Sequence, residues 1–193
     1  MNNPEYIKIG ERKYKINTDF RVAIECNAIA EDNTIGDFER ALAVIYKLYG
    51  AKGLENEEDY VQLLNKAKIY LSFGKEIEKS NEKPDMDFVE DMDYIIASFM
   101  SDYHIDLTNT KMHWWTFFNL LNGLSNSELG NCCVLNRVRN LRDYDISEIK
   151  DKKEREKLIK AKKMVELKKY KKENYLTKEQ EESLERFNKI LGI

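Results

Sequence analysis

The sequence has little of what β-rich domains, disulfide scaffolds and membrane spans require. It contains 8 Gly and 2 Pro in 193 residues, too few for a sandwich or barrel with a turn signal every ten or so residues. Its three cysteines, Cys26, Cys132 and Cys133, are odd in number, which argues against a disulfide framework and predicts a reducing compartment. No apolar segment follows Met1 or approaches the roughly 20 residues of a membrane span. We therefore expect a soluble, cytoplasmic protein with no membrane partner.

Motifs of catalysis and metal binding are also missing. No GxGxxG, P-loop, GxSxG or HExxH occurs, and neither histidine has a second ligand at i+4. We expect His113, beside two tryptophans at a helix start, to be packed and hydrogen-bonded. Cys132 and Cys133 lack CxxC spacing, and we expect both in a helix with one buried and the other partly exposed. The sequence predicts no enzyme, no metal site and no cofactor.

An acidic cluster is the strongest candidate for a cation site. It comprises Asp85, Asp87, Glu90, Asp91 and Asp93, and paired carboxylates on one helical face can hold magnesium. Acidic residues are, however, expected in the first turns of a helix because they oppose the helix dipole. Nothing in the neighbouring sequence indicates a phosphate cradle or a basic clamp, so the structural interpretation is favoured.

Composition favours a mostly α fold, a helical bundle with a short N-terminal β-hairpin. Hydrophobic residues make up 42% and charged residues 35%, which suits long amphipathic helices. Residues 6–9 and 13–16 alternate apolar and polar, which predicts two strands with Ile7, Ile9, Tyr14 and Ile16 on one apolar face.

Apolar residues at helical spacing predict the remaining elements. Asp19 and Asp37 are expected N-caps, and Ser125 with Glu128 forms a capping box. Phe38 is expected on a buried stripe, and residues 74–84 form an exposed loop. We expect helices over residues 20–30, 38–49, 57–73, 86–103, 111–124, 125–142, from 147 or 151 to 175, and 177–193.

Charge divides the chain into two parts. Residues 150–172 contain twelve Lys or Arg against four Asp or Glu, which leaves the rest of the chain at −11 given the total of −3. We expect a hairpin and helical core over residues 1–146. Residues 147–193 form a basic helix and a short terminal helix, packed on the core or projecting as an arm. The two charges can attract within a chain or between chains.

The basic helix is a candidate interaction surface. Lys160, Lys163 and Lys168 are its candidate contact residues. Because acidic residues interrupt the lysines and few aromatics accompany them, a solvated or protein-docking face is favoured over nucleic-acid binding.

The segment around the two tryptophans is the other candidate interaction surface. Trp114 and Trp115 are about 100° apart on a helix and cannot share one core position, and two phenylalanines repeat the doublet. This helix is either sandwiched in the core, the favoured case, or supplies one face to a partner. Its candidate contact residues are His113, Trp114, Trp115, Phe117 and Phe118.

This segment resembles the bacteriophage "gene product fifteen" family of tailed phages and prophages of Gram-positive bacteria. The resemblance rests on His113-Trp114-Trp115 followed by Phe118 and Asn122-Gly123-Leu124. The segments 14–21 and 142–155 agree with the family in the same order, so the likeness covers residues 6–170. Cys132-Cys133 and the terminal helix over residues 177–193 depart from it.

The resemblance implies a tail assembly chaperone. Such proteins are helical and non-enzymatic, coat the tape-measure protein in many copies, and help recruit the tail-tube protein. It further implies a location in the cytoplasm of the bacterial host and absence from the mature virion. Two alternatives remain: a tail or connector component of the virion, and, less favoured, a nucleic-acid-binding protein that uses the basic helix.

Overall fold

The computed structural model describes residues 3–74, 84–126, 132–147 and 149–171, and it confirms the mostly helical fold with an N-terminal hairpin. Short 3-10 helices at Ala51–Leu54 and Glu57–Asp59 connect the second and third α-helices. The elements are β1 (Tyr6–Ile9), β2 (Arg12–Lys15), α1 (Phe20–Glu31), α2 (Asp37–Tyr49), α3 (Tyr60–Leu71), α4 (Met92–Tyr103), α5 (Trp114–Asn122), α6 (Val134–Asp143), α7 (Lys152–Val165) and α8 (Lys168–Lys171).

The hairpin packs one apolar face on the helices, as predicted. Ile7 pairs with Tyr14 across the two antiparallel strands, and Ile9, Tyr14 and Ile16 are buried. Gly10 in the turn has a φ of 55°, a conformation that glycine adopts without steric cost. Two strands alone are marginal in water, so burial against the helices holds this hairpin in place.

One continuous core joins the hairpin to α1–α5 and to the start of α6. α1 packs against α2 and α5, α2 packs against α3, and α4 packs against α6. Asp19 caps α1 as predicted, its carboxylate accepting from the Arg21 amide at 3.0 Å. The largest fully buried side chains include Trp114, Tyr14, Phe20, Phe99 and Phe117.

The start of α2 differs from the prediction. The helix begins at Asp37 rather than being capped by it, and Phe38 is 65% exposed instead of buried. All buried residues of α2 lie in its C-terminal half, from Val44 to Tyr49. The first turn therefore extends beyond the part of the helix that packs against α1 and α3.

α4 and α6 begin later than predicted. The Asp87 carboxylate accepts from the amides of Val89 and Glu90, which forms a turn where helix was expected, so α4 starts at Met92. α6 starts at Val134, and the predicted capping box at Ser125 does not open it. The expectation that both Cys132 and Cys133 are helical is also wrong, because both precede α6.

The long basic helix is shorter than predicted. α7 begins after Asp151, one of the two expected starts, but ends at Val165 instead of continuing to residue 175. Leu167 is buried just beyond its end, and α8 follows as a single turn. The helix predicted over residues 177–193 and most of the loop predicted over 74–84 lie outside the described residues.

Candidate interaction surfaces

His113 is the N-cap of α5, the helix that carries the two tryptophans and is called the tryptophan helix below. As predicted, it is packed and hydrogen-bonded. Its Nδ1 accepts from the Trp115 amide at 3.0 Å and caps α5. Since Nδ1 accepts, Nε2 is the ring nitrogen that donates, and the Pro4 carbonyl lies 3.1 Å away. The Trp114 amide donates to the Thr18 carbonyl at 2.8 Å. The start of α5 is thereby fixed to both the N-terminal segment and the start of α1.

The adjacent tryptophans cap the C-terminal end of α3. The Trp114 indole N–H donates to the Leu71 carbonyl at 3.2 Å, and the Trp115 indole N–H donates to the Tyr70 carbonyl at 2.9 Å. The last carbonyls of a helix have no intrahelical partner. Two neighbouring indoles, diverging from one helix start, satisfy two of these carbonyls. The tryptophan doublet therefore has a structural role that its sequence spacing did not disclose.

The predicted interaction residues of α5 are largely core residues. Trp114 is 1% exposed and Phe117 0%, so neither offers a contact surface in the folded chain, and their assignment as interaction residues is corrected. Phe117 stacks on Phe20 with ring centroids 4.4 Å apart. Trp115 and Phe118 are half-buried against the same core. The favoured alternative, a helix sandwiched in the core, describes α5.

The three predicted lysines lie on the surface. Lys160 and Lys163 on α7 and Lys168 on α8 are exposed, while Leu158, Ile159 and Val165 give α7 a half-buried side, and α7 packs against α6. The exposed side of α7 is thus rich in lysine. It also carries Met164, whose side chain is 86% exposed.

The acidic cluster pairs with two arginines of α6. Arg142 on α6 forms a bidentate pair with Asp91, and Arg139 donates to Asp85 at 2.7 Å. Asp85 and Asp91 therefore have cationic partners from another helix, in agreement with the structural interpretation of the cluster. The two arginines lie more than fifty residues away in sequence, so local spacing could not reveal them.

Glu90 fixes the start of α8. Its two carboxylate oxygens accept from the amides of Lys168 and Lys169 at 2.8 and 2.7 Å. The Lys169 ammonium contacts Glu31 at the end of α1 and Asp87. Because these carboxylates have protein partners, they serve as structural anchors. Within the described ranges, no group of three or more His, Cys, Asp or Glu side chains could hold a metal ion.

An exposed apolar surface lies on α2, where sequence analysis predicted buried residues. Phe38 and Tyr46 are 65% and 54% exposed, and Leu42 between them is half-buried. These three residues are spaced four apart and share one helical face. Ile35, 38% exposed, precedes the helix. We call these four residues the α2 surface.

A polar network fixes the hairpin to the start of α3. Buried Asp59 accepts from the Arg12 guanidinium at 2.7 and 2.8 Å and from the Tyr14 hydroxyl at 2.5 Å. The hydrogen bonds from Arg12 and then Tyr14 lower the pKa of the Asp59 carboxyl. Burial, with the hydrogen bond to Asp59, raises the pKa of Tyr14. Arg12 also pairs with the exposed Glu58 at 2.7 Å, so the network links the hairpin turn to the residues that precede α3.

The cysteines are free thiols in different environments. Cys26 is buried, and burial raises its pKa to about 12. Cys133 is buried and its Sγ accepts from the Asn136 amide at 3.4 Å, whereas Cys132 is half-buried. One core cysteine and one partly exposed neighbour were predicted for this pair, and this is confirmed.

Comparison with known proteins identifies one family. The family described as "Bacteriophage Gp15 protein" matches residues 2–167, which covers the hairpin and every helix through α7. No curated protein and no solved structure matches the chain. In the parts of the chain described by the structure, none of the helices has both the length and the apolar character needed to cross a bilayer.

Proposed function

The chain belongs to the Bacteriophage Gp15 protein family, and from this premise we propose that it is a tail assembly chaperone that binds the tape-measure protein. Family membership makes it a phage structural or morphogenesis protein. Within that broader function, the exposed apolar surface of α2 favours the role of a chaperone. The proposal involves no catalysis and no cofactor.

The α2 surface is the observation that carries the proposal. A tape-measure protein is expected to be a long helix with exposed apolar stripes, and such a stripe is recognised by a complementary apolar surface. Phe38 and Tyr46 present aromatic area on the outside of a rigid helix, and Leu42 links them. Aromatic residues are enriched at the centres of protein interfaces. We therefore assign the tape-measure contact to this surface.

The small size of the α2 surface suits a protein that must later leave. One copy offers four apolar residues, so a single contact is weak. Many copies along one tape measure add up to a stable coat, and each can be displaced separately. Recruitment of the tail-tube protein would then proceed as copies are released. In this proposal the chaperone acts in the cytoplasm of the bacterial host and is absent from the mature virion.

The tryptophan helix supports this function indirectly. α5 caps α3 and packs on α1, and these are the two helices against which α2 lies. Trp115 and Phe118 are half-buried core residues and not the contact itself. The role of the tryptophans is to hold the scaffold on which the α2 surface is displayed.

Co-expression with the tape-measure protein of the same phage tests the proposal. The wild-type chain is expected to keep the tape-measure protein in the soluble fraction and to co-purify with it. Phe38→Ser combined with Tyr46→Ser should abolish both effects. A matched control, Val89→Ser with Met100→Ser, changes two exposed apolar residues outside the α2 surface, which are 63% and 45% exposed, and should behave like wild type.

Circular dichroism and thermal unfolding of each variant would establish that it is folded. A wild-type chain that leaves the tape-measure protein insoluble and uncomplexed would refute the chaperone function. Equal loss of binding in the control pair would refute the assignment to the α2 surface.

A further inference from the structure

Two surfaces of the chain carry opposite charge around an exposed apolar residue. Met164 and Val61 are the most exposed large apolar side chains among the described residues, at 86% and 70%. Met164 lies among lysines on α7, and Val61 follows a run of glutamates at the start of α3. Exposed lysines lie beside Met164 and exposed glutamates lie beside Val61, so each apolar residue neighbours the charge that attracts the other.

The first of these is the α7 surface, formed by Lys157, Lys160, Lys163 and Met164. All four side chains are exposed, and residues 157, 160 and 164 follow helical spacing along one face. No ion pair to the three lysines is present in the described part of the chain. Their charge is therefore available to a partner, while the opposite side of α7 packs against α6.

The second is the α3 surface, formed by Glu55, Glu57, Glu58 and Val61. The glutamates are exposed; Glu57 and Glu58 lie on the 3-10 turn that leads into α3, and Glu55 ends the preceding 3-10 turn. Asp59 in the same run is buried and paired with Arg12, and Glu58 also pairs with Arg12 at 2.7 Å. Glu55 and Glu57 form no ion pair in the described part of the chain, so these two residues supply the available negative charge. A recess of about 450 Å³ opens here between the hairpin turn and α3, lined in part by Glu11, Glu58 and the Arg12 that pairs with it.

We propose that the α7 surface of one copy of this chain docks on the α3 surface of a second copy. Lysines would face glutamates, and Met164 would pack on Val61. Charge complementarity of this kind selects the partner and its register. The chain supplies both halves, since the basic segment and the acidic remainder have opposite net charge.

Such a contact joins the α7 surface of one copy to the α3 surface of another. Each copy therefore keeps one of its two surfaces free for a further copy. Contacts of this type extend into open chains, or close into rings when the geometry permits. This self-association rests on the proposed function, in which many copies assemble along one tape measure. Its test contains no tape-measure protein, so failure of self-association and failure of tape-measure binding are seen in separate experiments.

The test is sedimentation equilibrium of the full-length chain, treated with nuclease, at low and at high salt. The wild type is expected to associate with increasing concentration, and less at high salt because exposed charges are screened. Lys160→Glu with Lys163→Glu, or Glu55→Lys with Glu57→Lys, should each raise the dissociation constant by about tenfold or more. Mixing these two variants should restore association, because every contact between them is again complementary.

A matched control reverses the same number of charges elsewhere. Lys15→Glu with Lys111→Glu changes two exposed lysines outside both surfaces and should associate like wild type. The proposal is overturned if the nuclease-treated wild type stays monomeric at low salt. Any association seen only before nuclease treatment would then be due to nucleic acid bound by α7. The proposal is also overturned if a variant truncated after Lys171 loses association while both charge-reversed variants keep it, since the contact would then lie in residues 172–193.

Discussion

The Arg142 guanidinium meets the Asp91 carboxylate in a bidentate pair, with both N–O distances at 2.7 Å. The two side chains are 10% and 1% exposed. Arg142 also donates to the Val165 carbonyl at 2.6 Å and to the Asp85 carbonyl at 2.8 Å. One side chain on α6 therefore ties the start of α4 to the end of α7, and the basic segment is held on the body through it.

Arg142→Ala is expected to lower the free energy of unfolding by about 3 kcal/mol or more, because it leaves the buried Asp91 carboxylate without its counter-charge. Arg142→Lys keeps the charge but loses the bidentate geometry, so its loss should be smaller. Urea unfolding of both variants measures this order. Arg137→Ala, an exposed arginine on the same helix, serves as the control and should change stability by about 0.5 kcal/mol or less. Equal stability of Arg142→Ala and the control would contradict the role of this pair.

Trp114 and Trp115 are both expected to contribute to the stability of the fold. Trp114→Ala should cost about 4 kcal/mol, since it empties a fully buried site in the core. Trp115→Phe keeps a ring but removes the N–H that bonds the Tyr70 carbonyl, which should cost about 1 kcal/mol.

Chemical denaturation of the two tryptophan variants measures these losses. Hydrogen exchange should show faster opening at the C-terminal end of α3 in Trp115→Phe. If Trp115→Phe is as stable and as protected there as wild type, the capping role of its indole is wrong.

The features of the fold that could be predicted from the sequence are those set by neighbours in the chain. Alternation placed Ile7, Ile9, Tyr14 and Ile16 on one face of the hairpin, and helical spacing located every α-helix of the core. Asp19 could be recognised as an N-cap because aspartate is preferred at that position, where its side chain accepts from a nearby backbone amide. These are short-range effects, which a single sequence displays directly.

The rest depended on residues far apart in the chain. Asp91 and Arg142 are 51 residues apart, and this pairing turned an acidic cluster into the anchor of the basic segment. The tryptophans were marked as a special pair, but their α3 carbonyl partners lie more than forty residues away. Phe38 has the spacing of a buried residue, and only the packing of the C-terminal half of α2 decides that it is exposed.

Asp59 gives a prediction about pH. The bonds from Arg12 and Tyr14 lower its pKa in the folded state, below the ordinary value of about 3.9. Its contribution to stability is therefore fully present above that ordinary pKa and is lost as the pH falls through the lower, folded-state value. Asp59→Asn should be destabilised at pH 7 and should lose stability less steeply than wild type below about pH 4.

Urea unfolding across this range, compared with Glu5→Gln as a control at an exposed carboxylate outside the network, measures the difference. Identical acid slopes for wild type and Asp59→Asn would contradict a lowered pKa at this site.

The fate of the protein separates a chaperone from a structural component of the virion. A chaperone coat is displaced as tail-tube subunits assemble, so no copies should remain once the tail is complete. Mass spectrometry of purified particles should therefore detect the tape-measure and tail-tube proteins but not this chain. The lysate before purification is the control, because the chain must be detectable there. The contacts assigned to the α2 surface are weak singly and strong only in number, which makes complete release the expected outcome. A fixed copy number per particle would instead identify the chain as a tail or connector component, and would place the α2 surface at a permanent interface.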